Sequence, residues 1–262
     1  MLPDFEMIVH QFKEDITIIP ISDVHLGARE CREQEFMQFI DSVKDKPNVY
    51  LILGGDLINN ATRSGVSNIF EETMRPADQK KMMAKILEPV RDKILCSVTG
   101  NHERRSGKDA DDDPCYDIMC KLDIEDRHRE NVAFVNIMLC NREADYMVCG
   151  KYRPSYTLVV THGSGGGRMT SGAVLAGERF AYVVDCDALI VGHTHKPFTT
   201  VSGRIHIDTH NKKVSVLPFH VISMTSWMDY GGYAAQKMLM PSVHRLHTIT
   251  LNSDHKEITV TM

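Results

Sequence analysis

The sequence predicts an α/β fold with covered sheets, on three observations. Short apolar runs alternate with amphipathic stretches of helical period through the first hundred residues. The runs are too short for helices and carry no polar face, as in strands buried on both sides. Each run stops abruptly at Gly or a small polar residue, followed by a carboxylate or an imidazole. Strand, helix, strand, helix, strand is the order expected of a sheet covered by helices.

Taken in order, Ile16–Ile21 (ITIIPI) reads as the first buried strand. Residues 30–43 place Phe36, Phe39, Ile40 and Val43 at helical spacing. Val49–Leu53 (VYLIL) is a second strand, closed by Gly54 and Gly55. Residues 78–90 read as a helix with Met82, Met83, Ile86 and Leu87 inward and Asp78 as its N-cap. Ile94–Val98 is a third strand, ended by Thr99 and Gly100. Residues 104–130 are highly charged and read as a surface insertion, with one short helix near 116–122. Strands follow at Val132–Leu139, 155–160 and Ala188–Val191, with a helix at 171–184 between the last two. The segments 204–208, 214–223, 244–251 and 257–261 read as an antiparallel or mixed sheet, with a hairpin turn at Asn252, Ser253 and Asp254. The 262 residues form one domain in this reading.

Bulk composition narrows the partners. With 42% hydrophobic residues the chain can fill a core, and its net charge of −5 gives no basic footprint for nucleic acid. A nucleic-acid substrate stays open, because two divalent cations bring their own positive charge. Seven cysteines, an odd number without C-x-x-C spacing, read as free thiols of a cytoplasmic protein. The N-terminal residues lack the basic and apolar regions of a signal peptide, and no apolar stretch approaches a membrane span.

Chemistry concentrates where the strands run out: Asp23-Val24-His25, Gly55-Asp56, Gly100-Asn101-His102-Glu103, His162 and Gly192-His193-Thr194-His195. Ligands of such sheets bind at the carboxyl ends of strands, so five polar strand ends point to one site. Asp23 and His25, like His193 and His195, are two residues apart, which in extended backbone puts both side chains on one side. Asp23, His25, Asp56, Asn101, His162, His193 and His195 make seven N/O donors. That number is too many for one ordinary transition-metal ion and suits two ions ~3.5–4 Å apart sharing a carboxylate. Mixed N/O donors favour manganese, iron or zinc over calcium, with manganese expected in assays.

ISDVHLG at 21–27, GGD at 54–56, GNHE at 100–103, THG at 161–163 and GHTH at 192–195 resemble, in order, the five motifs of the calcineurin-like metallophosphoesterases. The resemblance spans Asp23 to His195. It implies a four-layer sandwich of two mixed β-sheets flanked by helices. It also implies that Asp23, His25 and His195 hold one metal, that Asn101, His162 and His193 hold the other, and that Asp56 bridges them. His102 then stands beside the metals as proton donor. The implied reaction is phosphoester hydrolysis by a metal-bridging hydroxide.

For Glu103 there are two readings, as a residue orienting His102 or a backbone group and as an exposed strand-end carboxylate. Arg104, Arg105 and Lys108 either hold substrate phosphate or line a solvated loop. Arg63 is a further phosphate candidate. The loop Gly163 to Gly167 reads as a linker before an anion cradle, and the aromatic loop of Trp227, Tyr230 and Tyr233 as a seal on the sheet edge before a base-stacking platform. His206, His210, His220, His244, His247 and His255 are structural or surface residues.

Among substrates, GD-x-x-DRG of the protein phosphatases and diadenosine tetraphosphate hydrolases is replaced by Gly55-Asp56-Leu57-Ile58-Asn59-Asn60-Ala61. The opening motif is similar to that of SbcD-type DNA repair nucleases, and the compact chain looks like stand-alone bacterial and phage phosphoesterases. A phosphodiesterase or nuclease acting on nucleic acid or nucleotides is the first expectation. A phosphomonoesterase on a small molecule or phosphoprotein is the second, and a non-catalytic binding scaffold the third.

Overall fold

The computed structural model describes residues 5–63, 65, 68–139, 154–165 and 169–262. Gly166 and Gly167 of the glycine loop, and Cys140 and Cys149, lie outside the described residues. In chain order the elements are β1 (Met7–Phe12), β2 (Ile16–Ile21), α1 (Glu33–Lys44), β3 (Val49–Leu53), α2 (Pro76–Leu87), β4 (Ile94–Val98), α3 (Arg104–Ala110), α4 (Pro114–Lys121), β5 (His128–Arg129), β6 (Val132–Leu139) and β7 (Ser155–Thr161). They continue with α5 (Thr170–Ala181), β8 (Ala188–Val191), β9 (Phe198–Asp208), β10 (Lys213–Ser223), α6 (Gly232–Gln236), β11 (Thr248–Leu251) and β12 (Ile258–Thr261).

The strands form two mixed six-stranded sheets, ordered β1-β6-β7-β8-β10-β9 and β12-β11-β2-β3-β4-β5. The period-2 alternation of the strands builds three apolar layers. Ile16 and Ile18 of β2 meet Tyr156, Leu158 and Val160 of β7 and Ile190 of β8 between the sheets. Ile19 and Ile21 point outward, under Phe36 and Ile40 of α1 and Met83 and Leu87 of α2. Val159, Leu189 and Val221 face outward from the other sheet, toward Ala173 and Ala181 of α5. Both faces of each sheet's central strands are thus covered, the four-layer arrangement that the resemblance implies, while the outer ends of β9 and β10 stay exposed.

Several local expectations change. α1 begins at Glu33 because the preceding turn is tied elsewhere: Asp229 N donates to Glu30 O and Arg32 N to Trp227 O, both below 3 Å. α2 begins at Pro76, so Arg75 and not Asp78 precedes the helix. Proline suits the first helical position because its missing N–H would be unpaired there anyway. Residues 104–130 are no simple surface insertion. They hold α3, α4 and the edge strand β5, and Cys115, Ile118, Met119, Leu122 and Ile124 are buried in the core beside α2. Nor do the C-terminal segments form one sheet: β9 and β10 extend one sheet, while β11 and β12 extend the other. β1 was not legible, because its only buried side chain is Ile8.

Candidate metal centre

β2, β3 and β4 run parallel in one sheet, and β7 and β8 run parallel in the other, so their polar exits gather at one end of the sandwich. Backbone bonds hold the exits in register: Asp23 N donates to Gly55 O and His25 N to Asp56 O, each at 3.0 Å. The two sheets are joined at the site by His193 N on Asp23 Oδ2 (3.0 Å) and His162 Nδ1 on Gly54 O (2.8 Å).

The spaced pairs converge by a different route from the one expected. Asp23 and His25 lie beyond β2 with φ of 54° and 51°, and His193 and His195 lie beyond β8 with φ of 68° and 55°. Asp56 has φ of 51°. Side chains at i and i+2 therefore converge through left-handed backbone rather than an extended strand. That region is costly for non-glycine residues and, where the surroundings enforce it, is concentrated at functional sites. Gly55 and Gly100 permit the crossing of two exits: a Cβ on Gly100 would lie 2.1 Å from Asp56 Oδ1 and 2.2 Å from Asp56 N.

Asp23, His25 and His195 place donor atoms within 4.8 Å of one another, and so do Asp56, His162 and His193. Asp56 Oδ2 sits between the two groups, 3.3 Å from His162 Nε2, 3.8 Å from His25 Nε2 and 3.9 Å from His102 Nε2. Asn101 Oδ1 faces His193 Nδ1 at 2.7 Å and His162 Nε2 at 3.0 Å. His25 Nε2 and His195 Nε2 are 3.4 Å apart. A third grouping, His25 with Asp56 and His102, puts His102 as close to the centre as the expected ligands. All seven expected ligands and His102 are thus brought together.

Charge balance among these groups is tight. Burial works to raise Asp23, yet His195 and His162 hold its carboxyl at about 2. Burial works to lower His162, yet Asp56, Asp23 and the Gly54 carbonyl push it up to about 10. Burial and the neighbouring His102 hold His25 well below its ordinary value. Asp23 Oδ1 is buried with no hydrogen-bond donor in place, and His195 Nε2 lies 3.1 Å away. Buried carboxylates, an amide oxygen and imidazole nitrogens crowded in this way fit divalent cations, whose binding takes the place of protons on the imidazoles. The bond from His162 Nδ1 to Gly54 O leaves Nε2 for the centre, the usual orientation of a metal-binding imidazole.

Residues outside the donor set position it. Glu103, fully buried, accepts from Asp56 N (2.9 Å) and Gly100 N (3.0 Å) on Oε2 and from Ile58 N (3.1 Å) on Oε1. Of its two readings, the exposed strand-end carboxylate is excluded. Asn59 O accepts from His102 Nδ1 at 2.7 Å, and Asn60 Nδ2 donates to His102 O at 2.9 Å. Gln79 of α2 accepts from Asn60 N at 2.9 Å, and Glu72 accepts from Asn59 Nδ2 and Gln79 Nε2. Sequence reading missed Asn59, Asn60, Glu72 and Gln79. The only signal was the Asn59-Asn60 pair three residues after Asp56.

The flanking arginines separate. Arg104 Nη2 donates to Glu130 O at 3.2 Å, away from the donor set. Arg105 is partly buried and lies in the field of Asp56, Glu103 and Glu72. Arg63 is exposed. Trp227 is buried under α1 with Phe36 and Phe39 at ring separations of 5.1 and 5.3 Å, so it fills the core beneath a helix, while Tyr230 and Tyr233 are exposed.

Residues 16–197 match the family model of calcineurin-like phosphoesterases. The chain belongs to that family. The phosphoesterase is therefore a metal-dependent hydrolase of phosphoester bonds. Similar solved structures include Vps29 of Entamoeba histolytica complexed with zinc (TM-score 0.43, 13% identity, covering 94% of this chain and 97% of that one). A metallophosphoesterase of Sphaerobacter thermophilus (0.38, 17%, 94% and 87%) and the calcineurin-like phosphoesterase YfkN of Bacillus subtilis (0.37, 12%, 94% and 90%) are also similar. No curated protein matches the phosphoesterase in sequence. Among its described residues no helix is long and apolar enough to cross a membrane.

Proposed function

We propose that the phosphoesterase cleaves phosphodiesters of nucleic acids or nucleotides at a two-metal centre. Asp23, His25 and His195 would hold one ion, Asn101, His162 and His193 the other, and Asp56 both. The observation that supports this division is Asp56 Oδ2, which faces imidazoles of both groups while Oδ1 accepts from His102 N at 2.8 Å. Two bound divalent ions, manganese by preference for this N/O set, would neutralise phosphate oxygens and supply an activated water.

The chain's own residues have separable tasks. Glu103 fixes the loops of Asp56 and Gly100. Asn59 O holds the N–H of His102 Nδ1, which leaves Nε2 aimed at the donor cluster. From there Nε2, when protonated, donates to the departing oxygen, a role worth ~10²–10⁴ in rate for positioned general acids. Preference for a diester rests on the SbcD-like opening motif and the absence of the DRG signature. One observation favours a monoester instead: Arg105, close enough to interact with Asp56 and Glu103, adds a cation suited to a dianionic phosphate.

Hydrolysis of bis-p-nitrophenyl phosphate and p-nitrophenyl phosphate, side by side with manganese, tests the proposal. Faster diester cleavage supports it and directs attention to DNA, RNA and cyclic nucleotides. Faster monoester cleavage replaces it with the Arg105-assisted reading, and no cleavage of either substrate raises the binding scaffold from third place to first.

A further inference from the structure

Sheet edges differ sharply in how they are protected. Among the described residues, edge strand β12 has four residues, β5 two and β1 six, whereas edge strand β9 has eleven, paired on one side only, with β10. An edge strand offers a row of unpaired N–H and C=O groups, which proteins usually blunt with proline, lysine, bulges or short length. β9 (FTTVSGRIHID) has no proline or lysine, and its eleven-residue register with β10 is unbroken.

The outer half of this hairpin also leaves the body of the protein. Opposed residues share a face, so Ile205 with Val216 and Ile207 with Val214 form one aliphatic face, at 75, 69, 66 and 71% exposure. Arg204, His206 and Asp208 lie on the other face. The strand is self-complementary about His206. In antiparallel pairing of two copies with His206 opposite His206, Ile205 of each meets Ile207 of the other, and Arg204 of each meets Asp208 of the other. Lys213, opposite Asp208 in the same chain, extends the row of alternating charge. Within its own chain Arg204 also pairs with Asp185 at 2.7 Å and donates to Val184 O at 3.1 Å and Cys186 O at 2.7 Å.

We propose that the partner of this edge is a second copy of the chain, joined β9 to β9 about a twofold axis at His206 into a continuous twelve-stranded sheet. Main-chain hydrogen bonds supply affinity in such strand addition, and the cross-strand isoleucine and charge pairs set the register. β10 runs from this hairpin tip toward Ser223, beside Thr194 of the metal centre, so the dimer contact lies at the far end from the chemistry. It is independent of the substrate reading.

Sedimentation velocity on the full chain, from nanomolar to hundreds of micromolar, tests it. The expected result is a reversible dimer that Ile205→Glu converts to monomer with hydrolytic activity retained, since the side chain is exposed and remote from the donors. Adding Ile207→Lys in the same chain should restore the dimer, because the introduced carboxylate of one copy then faces the introduced ammonium of the other. His206→Cys should form an intermolecular disulfide on mild oxidation under conditions where the wild type does not. Directly opposed residues of antiparallel strands have Cα atoms about 4.5–5.5 Å apart, within disulfide range. A monomer at every concentration, a dimer indifferent to Ile205→Glu, or no cross-link at His206→Cys beyond wild type would each overturn the assignment.

Discussion

His102 donates through Nδ1 to the carbonyl of Asn59 at 2.7 Å, and the same ring places Nε2 3.9 Å from Asp56 Oδ2. One nitrogen is thus committed to the backbone and the other to the donor cluster. Because Asn59 is held by Glu72, and Asn60 by Gln79, the orientation of this imidazole is set by α2 and the loop before it.

His102→Ala should leave both metals bound and lower turnover at least tenfold, on the order of 10²–10⁴ if the ring is the full general acid. Metal analysis of the purified variant beside its kcat checks this. Loss of metal together with activity would make His102 a ligand, as its grouping with His25 and Asp56 also permits.

Asp56→Asn should weaken both metal sites together, because one oxygen faces both imidazole groups. Titration with manganese followed by metal counting should show neither ion retained at wild-type occupancy. If one ion persists unchanged, Asp56 does not bridge.

Glu103→Gln should destabilise the fold by about 1–3 kcal/mol, the cost of leaving buried polar groups mismatched. Both carboxylate oxygens accept backbone N–H groups, and an amide must turn its NH₂ toward at least one of them. Urea denaturation measures the loss. Metal affinity should fall as well, since Asp56 N and Gly100 N lose their common anchor.

Acid sensitivity should trace to Asp113. Burial works to raise its carboxyl, but hydrogen bonds from His128 and Thr99 and the charge of His128 outweigh it and hold Asp113 below its ordinary value. A depressed carboxyl contributes stability that is fully present above its unfolded pKa, about 3.9, and is lost as pH falls through the lower folded value. Asp113 also caps α4, accepting from Cys115 N at 2.9 Å and Tyr116 N at 3.2 Å. Asp113→Asn keeps a capping oxygen and removes the charge. It should lower stability at pH 7, with the gap from wild type closing below pH about 4 in urea denaturation across pH.

The site was legible in sequence where chemistry is local. Asp23-x-His25, His193-x-His195 and the GNHE run announce themselves because a strand end, a glycine and a donor residue are neighbours in the chain. Glu103 was ambiguous for the opposite reason: whether a carboxylate after a strand is exposed or buried depends on which backbone crosses above it. Gln79 gave no signal at all. It sits in the middle of an amphipathic helix, and its role exists only because α2 packs beside the turn at Asn60.

By itself, then, the sequence determined the alternation of strands and helices, the cluster of Asp, Asn and His residues at strand ends and the family, all of which depend on side-chain type and short-range order. Tertiary structure alone decided that β9 with β10 and β11 with β12 extend different sheets, and that residues 104–130 contribute to the core. It also placed Asp23, His25, Asp56, His193 and His195 in left-handed backbone. These outcomes depend on contacts between residues far apart in the chain. Their energies compete with one another at close packing, and a reading of local pattern does not contain them.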